Sequence, residues 1–203
     1  MNENKMDRRA FFCRSAGCAG GLALLTFPGI LSGLKAEEAG KSKENLFKEL
    51  DERLVKAMPL YRSCAVCSFF ALNGQFKLGA DYATLRALMP FTGGIAMRSE
   101  DSCGAVSGSL LALGFAFEPK NEQEAAKTGA SIKGAGLFLD KFTKAFGSTR
   151  CKDVVKRQYG RSYNFLDPEE SKQFMEASKK GNKCLEVMQT AVRIAAGIIL
   201  EKS

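Results

Sequence analysis

Residues 183–201 read KCLEVMQTAVRIAAGIILE. Within them Leu185, Met188, Val192, Ala195 and Ile199 recur at steps of three and four, which places them on one face of a helix. Residues 45–58 repeat the pattern, with Leu46, Leu50, Leu54 and Met58 at four-residue steps before Pro59. Between these ends the helical period continues. Leu60–Leu72 is expected as a more buried helix stopped at Asn73-Gly74, Tyr82–Met89 as a short helix before Pro90, and Ser102–Phe117 as another. Asn121–Phe146 reads as one long helix capped by Gly147. Cys151–Lys156 makes a helical turn. Asp167-Pro168-Glu169-Glu170 carries an N-cap aspartate, proline at the first helical position and acids in the first turn, and that helix ends at Gly181. No useful stretch alternates apolar and polar residues, so strands are not expected. The reading is an all-α fold, a helical bundle of about six to seven helices after an N-terminal signal segment.

The 203 residues include no histidine and no tryptophan. Without histidine there are no His-based triads, no His-ligated zinc and no imidazole proton shuttle. Seven cysteines point instead to sulfur chemistry. The formal charge is +8, from 30 basic and 22 acidic residues, but no nucleic-acid recognition motif accompanies it. Thr92-Gly93-Gly94 lacks the Gly-Lys-Ser/Thr continuation of a phosphate loop. Nucleic acid is therefore not expected as a partner.

Residues 1–14 are polar and basic, and an uncharged run from Ser15 to Leu34 follows, closed by Lys35. Its glycines and Pro28 would make a poor spanning helix, so a targeting signal is the better reading than a permanent anchor. Asp7-Arg8-Arg9-Ala10-Phe11-Phe12 resembles a twin-arginine export signal. The resemblance implies export of an already folded protein through the twin-arginine translocase, to a periplasmic or other extracytoplasmic location. Ala36 is a plausible cleavage point, although Leu34 is large for one, and an uncleaved signal would leave a membrane tether. The domain reading is residues 1–36 as signal, 37–44 as a polar linker and 45–203 as the helical domain.

Cys13 and Cys18 fall in the signal; Cys64, Cys67, Cys103, Cys151 and Cys184 remain. Cys64-Ala65-Val66-Cys67 lies on a helix without the strands of a thioredoxin-type surround. Cys103 opens CGAVSG where a loop becomes a helix, and a helix start stabilises a thiolate. Gly104, Gly108 and Ala112 form a stripe poor in side chains, suited to close approach by another backbone or by a cofactor. Arg62, Arg150, Lys152 and Lys183 neighbour cysteines in sequence and are expected to lower their pKa values.

Ser63-Cys64-Ala65, then Cys103-Gly104-Ala105-Val106-Ser107-Gly108, then Gly147-Ser148-Thr149-Arg150-Cys151, then Cys184 before a Val/Ala-rich helix, together resemble the C-GCAxxG-C-C family of redox-active proteins. The resemblance spans about Leu46 to Leu200. It places the family's cysteines at Cys64, Cys103, Cys151 and Cys184, with Cys67 additional. It implies redox or metal chemistry, and a redox partner protein or a membrane oxidoreductase or transporter.

Three functional readings stay open. In the first, Cys64, Cys103, Cys151 and Cys184, with Cys67 as a further candidate ligand and Gly104 and Gly108 beside the cofactor, hold a metal centre for electron transfer. An iron–sulfur cluster stands ahead of zinc there. In the second no metal is bound, and Cys103 is a redox nucleophile resolved by Cys64 or Cys67. In the third, disulfides brace a structural or interaction module.

Overall fold

The computed structural model describes the backbone of residues 28–202 and the side chains of residues 42–202. Residues 40–203 form one compact unit. Most of the twin-arginine-type segment, residues 1–27, lies outside the described residues, as do Cys13 and Cys18. Eight α-helices and two 3₁₀ turns follow, with no strand among the described residues. They are α1 (Pro28–Tyr61), α2 (Cys64–Phe76), α3 (Tyr82–Ala87), α4 (Gly104–Phe117), α5 (Ala130–Phe146), α6 (Cys151–Tyr159), α7 (Pro168–Lys179) and α8 (Lys183–Lys202). The 3₁₀ turns are Met89–Phe91 and Glu122–Lys127. None of the described helices is long and apolar enough to cross a membrane.

The all-α expectation holds, and the differences lie at helix ends. Residues 37–44, expected as a linker, are helical and belong to α1. Pro59 does not stop α1, which runs two residues further to Tyr61. Proline removes one hydrogen bond and crowds the preceding turn, and here it falls in the last turn, where little helix is left to disrupt. The break comes at Arg62, whose φ of 49° is left-handed, and at Ser63. Ser63 Oγ accepts the Val66 N–H at 3.2 Å and caps α2. Asn73-Gly74 does not end α2 either. The Asn73 side chain is engaged with Ala80, accepting its N–H and donating to its carbonyl, both at 3.2 Å. The helix closes at Lys77 with φ 50°.

The long helix expected over Asn121–Phe146 is divided. Thr128 is extended and Gly129 has φ 105°, so the 3₁₀ turn ends and α5 begins afresh. Helix α4 carries no charged residue in GAVSGSLLALGFAF and is apolar on every side, the mark of a central helix. It touches α2, α5 and α8, and α2 and α8 also touch each other. Leu50, Leu54 and Ala57 of α1, Phe69 and Leu72 of α2, Leu113 of α4, Phe138 and Phe142 of α5, and Met188, Val192 and Ile198 of α8 are buried in the core. Each large side chain among them contributes about 1.5–3 kcal/mol of apolar burial.

The small-residue stripe of α4 explains how closely it meets α2. A Cβ added to Gly108 would lie 2.2 Å from the Ala65 carbonyl oxygen and 3.1 Å from the Phe69 nitrogen. Of the two partners expected for this stripe, the neighbouring backbone occupies the space at Gly108.

Candidate functional site

Four cysteines stand at four helix starts. Cys64 is the first residue of α2, Cys103 immediately precedes α4, Cys151 is the first residue of α6, and Cys184 is the second residue of α8. A thiolate at any of the four acts on the others: Cys103 feels Cys64 and Cys184, Cys151 feels Cys103, Cys64 and Cys184, and Cys184 feels Cys64. All pairs among them therefore lie within electrostatic reach. Cys67, one turn along α2, feels Cys64 alone and sits buried to one side. The five described cysteines are free thiols.

Local backbone pairing brings residues distant in sequence together. Cys103 N–H donates to the Thr149 carbonyl, Cys151 N–H to that of Asp101 and Lys152 N–H to that of Ser99, each at 2.8 Å. An antiparallel bridge between Ser102 and Arg150 lies among these bonds. The starts of α4 and α6 are thus held side by side. Gly104 permits the approach of Cys64, since a Cβ there would lie 2.2 Å from Cys64 Sγ and 2.9 Å from the Ala65 nitrogen.

The loop after the first 3₁₀ turn closes another side. Gly93, Gly94, Ile95, Ala96 and Met97 all have φ between 52° and 74°. For the three non-glycine residues this left-handed geometry costs about 1–2 kcal/mol each. It is maintained by Ala96 N–H to the Pro90 carbonyl at 2.7 Å, Met97 N–H to Thr92 at 3.0 Å and Ser99 N–H to Gly93 at 2.9 Å. Thr92 Oγ1 donates to the Met89 carbonyl, so its 2.6 Å bond with Ser63 Oγ takes its proton from Ser63. The loop is thereby tied to the start of α2. It packs so closely that a Cβ on Gly94 would lie 2.6 Å from Cys151 Cβ.

The electrostatics differ from the sequence expectation. Burial is the largest influence on all five thiols and raises every pKa, that of Cys67 to about 11 and that of Cys184 to about 12. No neighbouring cation offsets this. Arg150 is turned to Asp153 at 2.9 Å, Lys152 to Glu100 at 2.9 Å, and Arg62 and Lys183 point to solvent. What opposes burial is backbone at Cys64, Cys67 and Cys103, and the Tyr159 hydroxyl at Cys184. N–H groups of Gly93, Ala65, Cys64 and Gly104 favour the Cys64 thiolate, and those of Ala105 and Val106 favour Cys103. At Cys103, where the helix start was expected to lower the thiol pKa, burial acts the other way and is the larger influence. Cys64 and Cys184 are partly exposed, whereas Cys103 and Cys151 are buried.

The family model for C_GCAxxG_C_C, described as "putative redox-active protein", matches residues 62–198. The chain belongs to this family. All four clustered cysteines, and Cys67, lie within the matched residues. The family assignment carries a redox role, in agreement with the resemblance read from the motifs. No curated protein and no solved structure matches the chain.

Tyr159 was not singled out by sequence reasoning. At the last residue of α6, its hydroxyl accepts the Cys184 N–H at 3.3 Å and lies 3.3 Å from Ser178 Oγ of α7. A tyrosine eight residues after one cysteine and 25 before another has no recognisable spacing, so only the fold shows the contact.

Proposed function

We propose that Cys64, Cys103, Cys151 and Cys184 together hold an iron–sulfur cluster and that this member of the C_GCAxxG_C_C family transfers electrons. The observation that carries the reading is the meeting of four helix starts at four cysteines. Each thiol stands at the positive end of a helix dipole, and at Cys64 and Cys103 backbone N–H groups also favour the thiolate. Four thiolates with a metal centre would carry net negative charge, and a buried negative charge needs such compensation. Here the backbone supplies it at Cys64 and Cys103, and the nearby cations do not. The soft sulfur donors and the absence of histidine suit iron–sulfur ligation.

Among the described residues, no group of three or more Cys, Asp or Glu side chains is already drawn around a point where an ion could sit. Loading therefore requires the sulfurs to close in, and deprotonation of the thiols accompanies it. A bound cluster would supply one-electron chemistry. The chain's own contribution is to orient four sulfurs, compensate their charge and exclude water with the Gly93–Met97 loop. Cys67 is left out of this ligand set because it addresses Cys64 alone.

Purification without oxygen, followed by visible spectroscopy and iron and sulfide analysis, tests the reading. Charge-transfer bands with matching iron and sulfide are expected. Cys→Ser substitution at positions 64, 103, 151 or 184 should each remove most of the iron, whereas C67S should retain it. A colourless, iron-free wild type would sink the proposal, and thiol counting before and after reduction would then identify a disulfide couple.

A further inference from the structure

Tyr159 is the one tyrosine whose hydroxyl meets a clustered cysteine. Its oxygen has two acceptor positions and one proton. The Cys184 N–H takes one acceptor position at 3.3 Å. Ser178 Oγ, also at 3.3 Å, can fill the second by donating its proton. With both acceptor positions filled, the phenol proton is left for the Cys184 sulfur, whose thiolate the Tyr159 hydroxyl favours.

The surroundings fix the ring. Phe174 of α7 packs edge-on against Tyr159 with centroids 5.3 Å apart, and against Tyr163 at 5.4 Å and Phe165 at 4.9 Å. Phe165 in turn lies 3.4 Å from where a Cβ on Gly93 would be. One aromatic cluster thus joins the Cys184 side of the site to the left-handed loop on the Cys64 side. Helix α7 buries none of its residues fully, and Phe174 and Ser178 tie it to this cluster.

We propose that Tyr159 is a positioning residue for Cys184: its oxygen takes the Cys184 N–H, and its hydroxyl proton goes to the Cys184 sulfur, tuning the potential of the centre. The inference deepens the proposed function, since it rests on Cys184 being a ligand. Hydrogen bonds to ligating sulfurs stabilise the more negative, reduced state and raise the reduction potential. The ring stays packed in Y159F, so that variant removes the hydroxyl without opening a cavity.

Two measurements test it. In metal-free protein, residue-resolved amide exchange of Cys184 should be about fivefold faster in Y159F than in wild type, the effect of losing about 1 kcal/mol of hydrogen bonding. In loaded protein, Y159F should shift the one-electron equilibrium about tenfold toward the oxidised form, which is about 59 mV more negative. S178A should leave both values near wild type, because the phenol proton is already on Cys184. Unchanged exchange or an unchanged potential in Y159F overturns the proposal, as does a raised potential in S178A, which would mean that the proton had pointed to Ser178. Should wild type take up no iron, the ligand reading fails by itself, while amide exchange still decides the Tyr159 contact.

Discussion

A methyl group on Gly104 would lie 2.2 Å from the Cys64 sulfur, and one on Gly108 would lie 2.2 Å from the Ala65 carbonyl oxygen. At Gly104 the sulfur is joined by the Ala65 nitrogen at 2.9 Å and the Phe91 carbonyl oxygen at 3.1 Å, so G104A should displace Cys64, reduce iron loading and also cost stability. The carbonyl opposite Gly108 belongs to α2 and cannot move without the helix, so G108A should destabilise the fold by about 1–3 kcal/mol. Gly136 is the contrast, exposed in α5 with nothing within 4 Å of an added Cβ. G136A should stabilise by about 0.5–1 kcal/mol through helix propensity alone. Urea midpoints of the three variants check this ordering. Wild-type stability in G108A would refute the close approach of α2 and α4. The glycine spacing was legible in the sequence, but which glycines were obligatory was not. That depends on what the neighbouring helix places opposite each one.

At the scale of elements, α5 starts without a side-chain cap of its own. Glu118, just past the end of α4, supplies one from outside. Its carboxylate oxygens accept the Ser131 N–H at 2.7 Å and the Gly129 N–H at 2.8 Å. Hydrogen bonds from Ser131, then Gly129, hold the Glu118 carboxyl below its ordinary value of 4.5. A carboxyl depressed in the folded state stabilises fully above its unfolded pKa and loses that contribution as pH falls through the folded one. E118Q should therefore melt below wild type at pH 7, and the gap should close as the solution is acidified below about pH 4. A gap independent of pH would contradict the capping role. The same contact accounts for the break in the helix expected over Asn121–Phe146: Glu118 gathers the N–H groups that a continuous helix would have used internally.

For the whole molecule, the proposed centre raises the question of how it would be loaded and where it would work. We propose that loading precedes export. Four sulfurs supplied by α2, α4, α6 and α8 meet only once those helices have packed, and a twin-arginine route accepts a packed protein. Residues 1–36 would then deliver the loaded domain to an extracytoplasmic redox partner. Lysine substitution of both Arg8 and Arg9 should leave the protein in the cytoplasmic fraction with its iron intact. Unchanged distribution after fractionation would remove the export proposal without touching the cysteine centre.

The sequence by itself determined the all-α class, the apolar faces of its helices and the cysteine pattern of the family, because periodicity, capping residues and motif spacing are local properties. The amphipathic pattern of residues 183–201 and the CGAVSG start of α4 are of that kind. Only the tertiary structure decided that four helix starts share one place, that Cys67 stands aside, and that Tyr159 reaches Cys184. It also reversed an electrostatic expectation. Arg150 and Lys152 adjoin Cys151 in sequence, yet they turn outward to Asp153 and Glu100. The physical reason is that desolvation, and the direction in which a charged side chain finds its partner, depend on how the helices pack, whereas sequence adjacency fixes only which residues are covalent neighbours.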